Sequence, residues 1–303
     1  MRIPENFRLG YACINTELRK RDIYTSRTLR LSTLKTKGIE YVKELGLKNV
    51  DDLLKILKWN KENGIYFMRV SSEIFPFASH LEYGYSLDFA NEKLKEVGKY
   101  ANENNIRLTM HPGQYNVLSS PNEKVVLNTI SDLKHHCDIL DRMNMGIDSV
   151  IIIHGGGVYK NKKESLKRFE ENFHKLPKNV QDRLVLENCE MAYCVEDLIP
   201  VSESLQIPIV LDFHHDDIYH SSQPIQYYFE RVFAVWNAKG IKPKVHVSNS
   251  VPGITEKDSK TARRKHSDYI QFLHESLLTI TFPIDVMLEC KMKEQAIKQL
   301  IQL

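Results

Sequence analysis

The sequence predicts an α/β protein, a single (β/α)8 TIM-like barrel over residues 1–303 with a metal site at the C-terminal face of its strands. Three observations predict it. Short apolar runs alternate with segments of helical period eight times along 303 residues, and that alternation implies a closed parallel sheet. No Pro/Gly-rich linker, internal repeat or low-complexity segment divides the chain. Six of the runs end in a side chain that binds metals or moves protons: LTMH to His111, IIIH to His154, LVLE to Glu187, IVLD to Asp212, KVH to His246 and VMLE to Glu289. A buried strand has no use by itself for a polar tip. The tips of barrel strands, however, converge on one point. An open doubly wound sheet would not gather six tips, and no GxGxxG fingerprint supports one.

In chain order, strands are expected at residues 8–14, 66–71, 107–111, 149–154, 183–187, 207–213, 244–248 and 285–289. Helical periodicity falls between them at 50–63, 87–104, 123–143, 163–173, 195–205, 226–239 and 266–279. The first connection, about 15–48, reads as a long loop, and loops beyond ~12–15 residues are usually functional or disordered. It carries Arg19, Lys20, Arg21, Arg27, Arg30, Lys35 and Lys37 around Tyr24, and is assigned to substrate binding.

Apolar residues make up 42% of the chain, as expected of a globular protein with a sizeable core. No apolar stretch approaches the ~20 residues of a membrane span, and the N-terminus lacks a signal peptide's apolar core. An intracellular, cytoplasmic protein is expected (nucleoid-associated in a prokaryote), acting as a monomer away from membranes. The five cysteines are scattered without CxxC spacing, which suits reduced, structural thiols. Cys189 and Cys290 follow Glu187 and Glu289 closely but are read as packing residues. The net charge is only +3, too little to imply nucleic acid alone. Its distribution says more. Lys257, Lys260, Arg263, Arg264 and Lys265 form a second basic cluster and Lys160, Lys162 and Lys163 a third. Any one cluster is ordinarily a solvated face. All three follow strand ends, so they would share a rim around the metal site, which suits a phosphate-bearing substrate.

Taken residue by residue, each candidate ligand has an ordinary structural explanation, and convergence is what tips the balance. His111 opens His-Pro-Gly-Gln-Tyr, whose Pro112 and Gly113 turn the chain and throw Gln114 and Tyr115 outward. His154 precedes Gly155, Gly156 and Gly157, where backbone can approach a ligand. Glu187 and Glu289 end apolar strands, where a carboxylate must pair or bind metal. Asp212 and His215 are three apart across a strand-to-loop turn, while His214 is expected to point elsewhere and Asp216 and Asp217 to be solvated. Lys244 and His246 face the same way on one strand; a lysine beside a cation site must anchor a carboxylate, lose its proton or be modified. His80 and His266 are weighed equally as structural or liganding, and His135, His136, His174, His220 and His274 are set aside. So rich a ligand set would hold two or three ions of the kind that cleave phosphate esters. Mixed His/carboxylate ligands suit Mn2+ or Zn2+ better than Mg2+.

Gly10-Tyr11, Arg27-Thr28-Leu29-Arg30, His111-Pro112-Gly113-Gln114-Tyr115, the Ile-Ile-Ile-His154-Gly-Gly-Gly strand, Leu186-Glu187-Asn188, Leu211-Asp212-Phe213-His214-His215, Lys244-Val245-His246 and His266-Ser267-Asp268-Tyr269 occur in this order. As a set they resemble the ultraviolet damage endonucleases, across nearly the whole chain. The resemblance implies a TIM-like barrel related to endonuclease IV. It implies two or three ions, Mn2+ foremost with Zn2+, Mg2+ or Co2+ as alternates, held by His80, His111, His154, Glu187, Asp212, His215, His246, His266 and Glu289. Glu187, Lys244 and Glu289 become the candidate catalytic groups, with Lys244 open to carboxylation. Gln114 and Tyr115 match a pair that wedges into damaged double-stranded DNA. Tyr11 matches a lesion-pocket tyrosine, and Arg27 and Arg30 are taken as further DNA contacts. A minimal enzyme without the long N-terminal extension of fungal members is expected. The implied reaction nicks the phosphodiester immediately 5′ of cyclobutane dimers, 6-4 photoproducts and, as a further candidate, abasic sites, leaving 3′-hydroxyl and 5′-phosphate ends. The rival reading is a divalent-metal sugar isomerase or epimerase on a similar barrel, for which Gln114-Tyr115 and a basic rim have no use.

Overall fold

A computed structural model describes residues 3–301. Among them, eight strands, β1 (Phe7–Ala12), β2 (Phe67–Val70), β3 (Arg107–Met110), β4 (Ile151–His154), β5 (Leu184–Glu187), β6 (Ile209–Asp212), β7 (Lys244–Val247) and β8 (Ile284–Leu288), close in sequence order into a parallel barrel. The ring is sealed by β1 and β8, paired from Phe7 with Ile284 to Tyr11 with Leu288. Every strand overlaps its expected range, β1 and β8 starting one residue earlier. The strands are short and buried on both faces, which is why they read as apolar runs with no polar alternation. Gly10 is required by the barrel interior: a Cβ there would stand 2.4 Å from Phe67 Cδ1 and 2.5 Å from its carbonyl oxygen.

The barrel floor, at the strands' N-terminal ends, is closed by ions. Asp285 on β8 accepts from Arg8 on β1 and from Arg107 on β3, each at 2.7 Å, with no exposure of the carboxylate. Burial works against that charge, but the two guanidinium groups hold the Asp285 carboxyl below its ordinary value. Above this floor lies Lys244, fully buried, its Nζ donating to Thr109 Oγ1 at 3.3 Å and standing 5.5 Å from the centre of the Phe67 ring.

Helices cover the outside. Those at Asn91–Glu103, Glu123–Arg142, Lys162–Phe173, Val195–Leu205 and Phe229–Ala238 follow the apolar periodicity. Two expectations fail. The first connection is largely helical, in Thr16–Arg19 and Leu31–Glu62, the latter broken at Gly38 (φ 79°). Leu34, Val42, Val50, Leu53 and Leu57 bury one stripe of it, and the lysines occupy the other side. Conversely, 266–279 contains only the short helix Glu275–Leu278. Asn249 pins this segment instead: its carbonyl takes Ser267 N–H at 2.8 Å and its Oδ1 takes Gln271 N–H at 2.8 Å, so those amides cannot serve a helix. No helix among the described residues is long and apolar enough to cross a membrane.

Candidate metal centre

The strand tips of β3 to β8 meet at the C-terminal mouth, around Glu187. Its Oε2 lies 2.9 Å from His111 Nε2 and 3.8 Å from His154 Nε2. Its Oε1 lies 2.8 Å from His246 Nδ1 and 3.6 Å from His215 Nδ1. His246 Nδ1 in turn stands 3.4 Å from Glu289 Oε1 and 3.8 Å from Asp212 Oδ2. Three overlapping groups result: His111, His154, Glu187; Glu187, Asp212, His215; and Asp212, His246, Glu289. Within each, the ligand atoms lie within 4.8 Å of one another.

Local backbone chemistry explains the placement. Asp212 ends β6 and caps the helix Phe213–Ile218, its Oδ1 accepting from His215 N–H at 2.8 Å, which brings His215 round to the mouth. Asn188 locks the tips of β5 and β6 together, donating to Asp212 O at 2.9 Å and accepting from Asp212 N–H at 2.8 Å. His111 Nδ1 faces Pro112 O at 3.0 Å, which turns its Nε2 to Glu187, and His266 Nδ1 faces Ser248 Oγ at 2.7 Å, which leaves the His266 Nε2 for a ligand. Asp212 Oδ2, His154 Nδ1 and His246 Nε2 are buried with no hydrogen-bond partner in the described structure. Buried polar atoms ordinarily have partners. An orphaned carboxylate oxygen in the cluster, Asp212 Oδ2, 3.6 Å from His215 Nδ1 and 3.8 Å from His246 Nδ1, fits a divalent cation.

Burial opposes charge on Glu187, yet His246, His154 and the hydrogen bond from His111 hold its carboxyl well below the ordinary range. Burial pushes Asp212 up to about 8, with Glu187 and Glu289 adding to the rise. Burial also lowers His154 and His246 to about 4, so both are neutral and ready to ligate. Burial disfavours a charged His215, but Asp212, Glu187 and Glu190 outweigh it and raise the imidazole to about 10. His215, held protonated by the carboxylates around it, must therefore give up a proton to become a ligand.

The centre opens into a cleft of about 690 Å³ that also reaches Gln114, Tyr159, Met191 and Arg264. Gln114 stands on its lip, while Tyr115, 79% exposed, borders an adjoining cleft. His266 lines the cleft but joins none of the three groups. His80 also joins none. Its Nδ1 accepts the N–H groups of Glu82 and Tyr83 at 3.0 and 3.3 Å, its ring packs on Phe77 and Tyr83, and it lines an adjoining cleft with Tyr115.

Two residues expected at the DNA are interior. Tyr11 has no exposure; its hydroxyl donates to Asn60 Oδ1 at 2.7 Å and accepts from Asn15 at 3.2 Å, and burial holds the phenol above its ordinary range. Arg27 is buried beside Asp52, stacked on Tyr24 at 4.0 Å, with its guanidinium also on the Tyr24 and Asp22 carbonyls. Arg30 is exposed at the start of Leu31–Glu62. Asp216, expected to be solvated, is 7% exposed, and burial lifts its carboxyl to about 6. His214 joins none of the three groups and does not line the cleft; its ring lies against His266, ring centres 5.2 Å apart.

Sequence reasoning missed Arg69 and Glu190. Arg69 Nη1 donates to Glu289 Oε1 at 2.5 Å from β2. Glu190 ties Arg264 at 2.5 Å to His215 Nε2 at 3.6 Å. A charged residue inside the apolar run of β2 was the available signal for Arg69; Glu190 left none.

The sequence profile of the UV-endonuclease UvdE family matches residues 7–303. The UV-damage endonuclease of Schizosaccharomyces pombe is 45% identical over 314 residues, covering 98% of this chain and 51% of that protein, so this chain spans about half the length of that relative. A crystal structure of SacUVDE superposes with a TM-score of 0.85 at 33% identity, covering 98% of this chain and 97% of that one. A D-tagatose 3-epimerase-like protein shares the fold alone, with a TM-score of 0.57 at 13% identity over 81% of this chain and 90% of that one. With a matching profile, a close structural relative and a metal-ligand cluster at the barrel mouth, this chain belongs to the UV-endonuclease UvdE family.

Proposed function

We propose that this chain is a metal-dependent endonuclease that nicks DNA beside ultraviolet lesions. The observation that carries the reading is the cluster of three overlapping His/carboxylate groups around Glu187 and Asp212 in a chain of this family. His111, His154, Glu187, Asp212, His215, His246 and Glu289 would hold two or three divalent ions, Mn2+ foremost. Such ions, when bound, supply water activation and charge neutralisation at a phosphodiester. The protein's own part is to place the phosphate. Glu187 and Glu289 stay anionic ligands, Arg69 orients Glu289, and the exposed Arg30, Lys257, Lys260, Arg264 and Lys265 meet the backbone. Gln114 and Tyr115 enter the duplex where a lesion has weakened stacking, so deformability selects the site without base-sequence readout. His80 and His266 complete the ligand set once their loops close on the substrate. Burial and the neighbouring Arg69 lower the Lys244 amine well below its ordinary value; the neutral form is the one carboxylation needs.

The proposed products are a 3′-hydroxyl and a 5′-phosphate at the bond immediately 5′ of a cyclobutane dimer or 6-4 photoproduct. Incubating ultraviolet-irradiated and undamaged plasmid with the protein and Mn2+ tests this. Selective nicking of the irradiated plasmid is expected; equal nicking of both, or of neither, defeats the reading.

A further inference from the structure

The loops after β3 and β4 are built alike. Each leaves a strand-tip histidine, His111 or His154, and reaches a tyrosine two residues past a glycine, in Gly113-Gln114-Tyr115 and Gly157-Val158-Tyr159. In each the ring lies on the glycine. A Cβ at Gly113 would stand 2.9 Å from Tyr115 Cε2, and one at Gly157 would stand 3.0 Å from Tyr159 Cε2. Tyr159 is 43% exposed despite this seat. Its backbone and that of Lys160 are both left-handed, with φ of 42° and 68°, conformations that cost a side-chain-bearing residue of order 1–3 kcal/mol. Strain of this kind persists where the surroundings fix it, and here they do.

The two loops brace each other. Ser119 Oγ donates to Gly157 O at 3.4 Å, and Arg168 Nε donates to Ser119 O at 3.0 Å while its guanidinium stands 5.7 Å from the Tyr159 ring centre. The seat is thus rigid, and it faces the metal cleft that Tyr159 shares with His111, His154 and Glu187. Tyr115 instead borders the adjoining cleft. An aromatic ring held rigidly beside a phosphodiester-cleaving centre is a stacking platform for a planar heterocycle.

We propose that Tyr159 is a second base-stacking residue, which receives a nucleobase within the metal cleft while Tyr115 occupies the lesion step. The proposal rests on the reading of the chain as a DNA-lesion endonuclease. Duplexes with one lesion and a 2-aminopurine at successive positions of either strand test it, bound with calcium in place of the working ion. One 2-aminopurine position should be quenched in the wild-type complex and brighten with Tyr159→Ala, together with a roughly tenfold loss of affinity. Tyr159→Phe should keep both signals, since stacking needs the ring and not the hydroxyl. Tyr115→Ala should disturb a different position.

Wild-type affinity and an unchanged fluorescence profile in Tyr159→Ala overturn the proposal. So does a loss that Tyr159→Phe shares, or one that merely tracks a lowered melting temperature. Failure of the unsubstituted protein to prefer the lesion duplex would remove both the endonuclease reading and this inference, and is seen before any variant is made.

Discussion

Arg27 Nη1 and Asp52 Oδ2 lie 2.7 Å apart, with side chains 6% and 2% exposed. This pair fastens the loop after β1 to the helix Leu31–Glu62. Removing one partner of a buried ion pair leaves the other desolvated. Arg27→Ala should therefore destabilise the fold by about 3 kcal/mol, read as a lower urea midpoint. Arg30→Ala, on the exposed neighbour, should leave the midpoint alone, weaken DNA binding and reduce the salt slope by about one. If Arg27→Ala unfolds no more easily while DNA binding falls, Arg27 is a DNA contact after all.

Tyr11→Phe removes a hydroxyl shared by Asn60 and Asn15. A stability loss of roughly 1–2 kcal/mol is expected from the buried amides left unpaired, with discrimination between damaged and intact duplex unchanged. A selective loss of damage binding, at unchanged stability, would return Tyr11 to the lesion pocket.

Glu187 touches four histidines through two oxygens. Glu187→Gln keeps the shape and removes the charge. Nicking of irradiated plasmid should fall by at least ~100-fold, and Mn2+ affinity measured by calorimetry should fall with it. Gel-shift preference for the damaged duplex should survive. Undiminished nicking would take Glu187 out of the metal centre.

Lys244 predicts a pH signature of stability. Burial lowers its folded-state value well below 10.5, and Arg69 and Arg107 lower it further. Between that lowered value and 10.5 the unfolded chain binds one more proton than the folded one, so stability rises with pH across this window. Lys244→Met should flatten the rise and, at neutral pH, stabilise the barrel by ~1–2 kcal/mol. Melting curves of both proteins at pH 7 and 9 in EDTA check this. Equal slopes would mean that Lys244 keeps its proton inside the barrel.

The strand tips could be read from the sequence because their signal is local: a buried parallel strand is a short apolar run, and a polar residue ending it stands out. The interior roles of Tyr11 and Arg27 could not, since they depend on Asn60 and Asp52, which are distant in sequence and reach them only once Leu31–Glu62 is packed. The first half of that helix, before residue 50, was read as loop because Gly38 and a dense run of lysines interrupt its apolar stripe. His80 shows the converse. The resemblance places it among the ligands, yet it stands outside the three groups with its Nδ1 taking the Glu82 and Tyr83 N–H groups, a local contact that no spacing rule anticipates.

The Arg8–Asp285–Arg107 ion pairs close the N-terminal end of the barrel. The metal-ligand cluster opens at the opposite end, into the cleft that also reaches Gln114, Tyr159 and Arg264. If the chain cuts DNA as proposed, a duplex docked over that cleft would act as a stopper: the ions present at docking would be those that serve the cut, and exchange would wait for the nicked strand to leave. Turnover in mixed-metal solutions would accordingly reflect which ions loaded first, and a metal chase added after DNA should lag the same chase added before it.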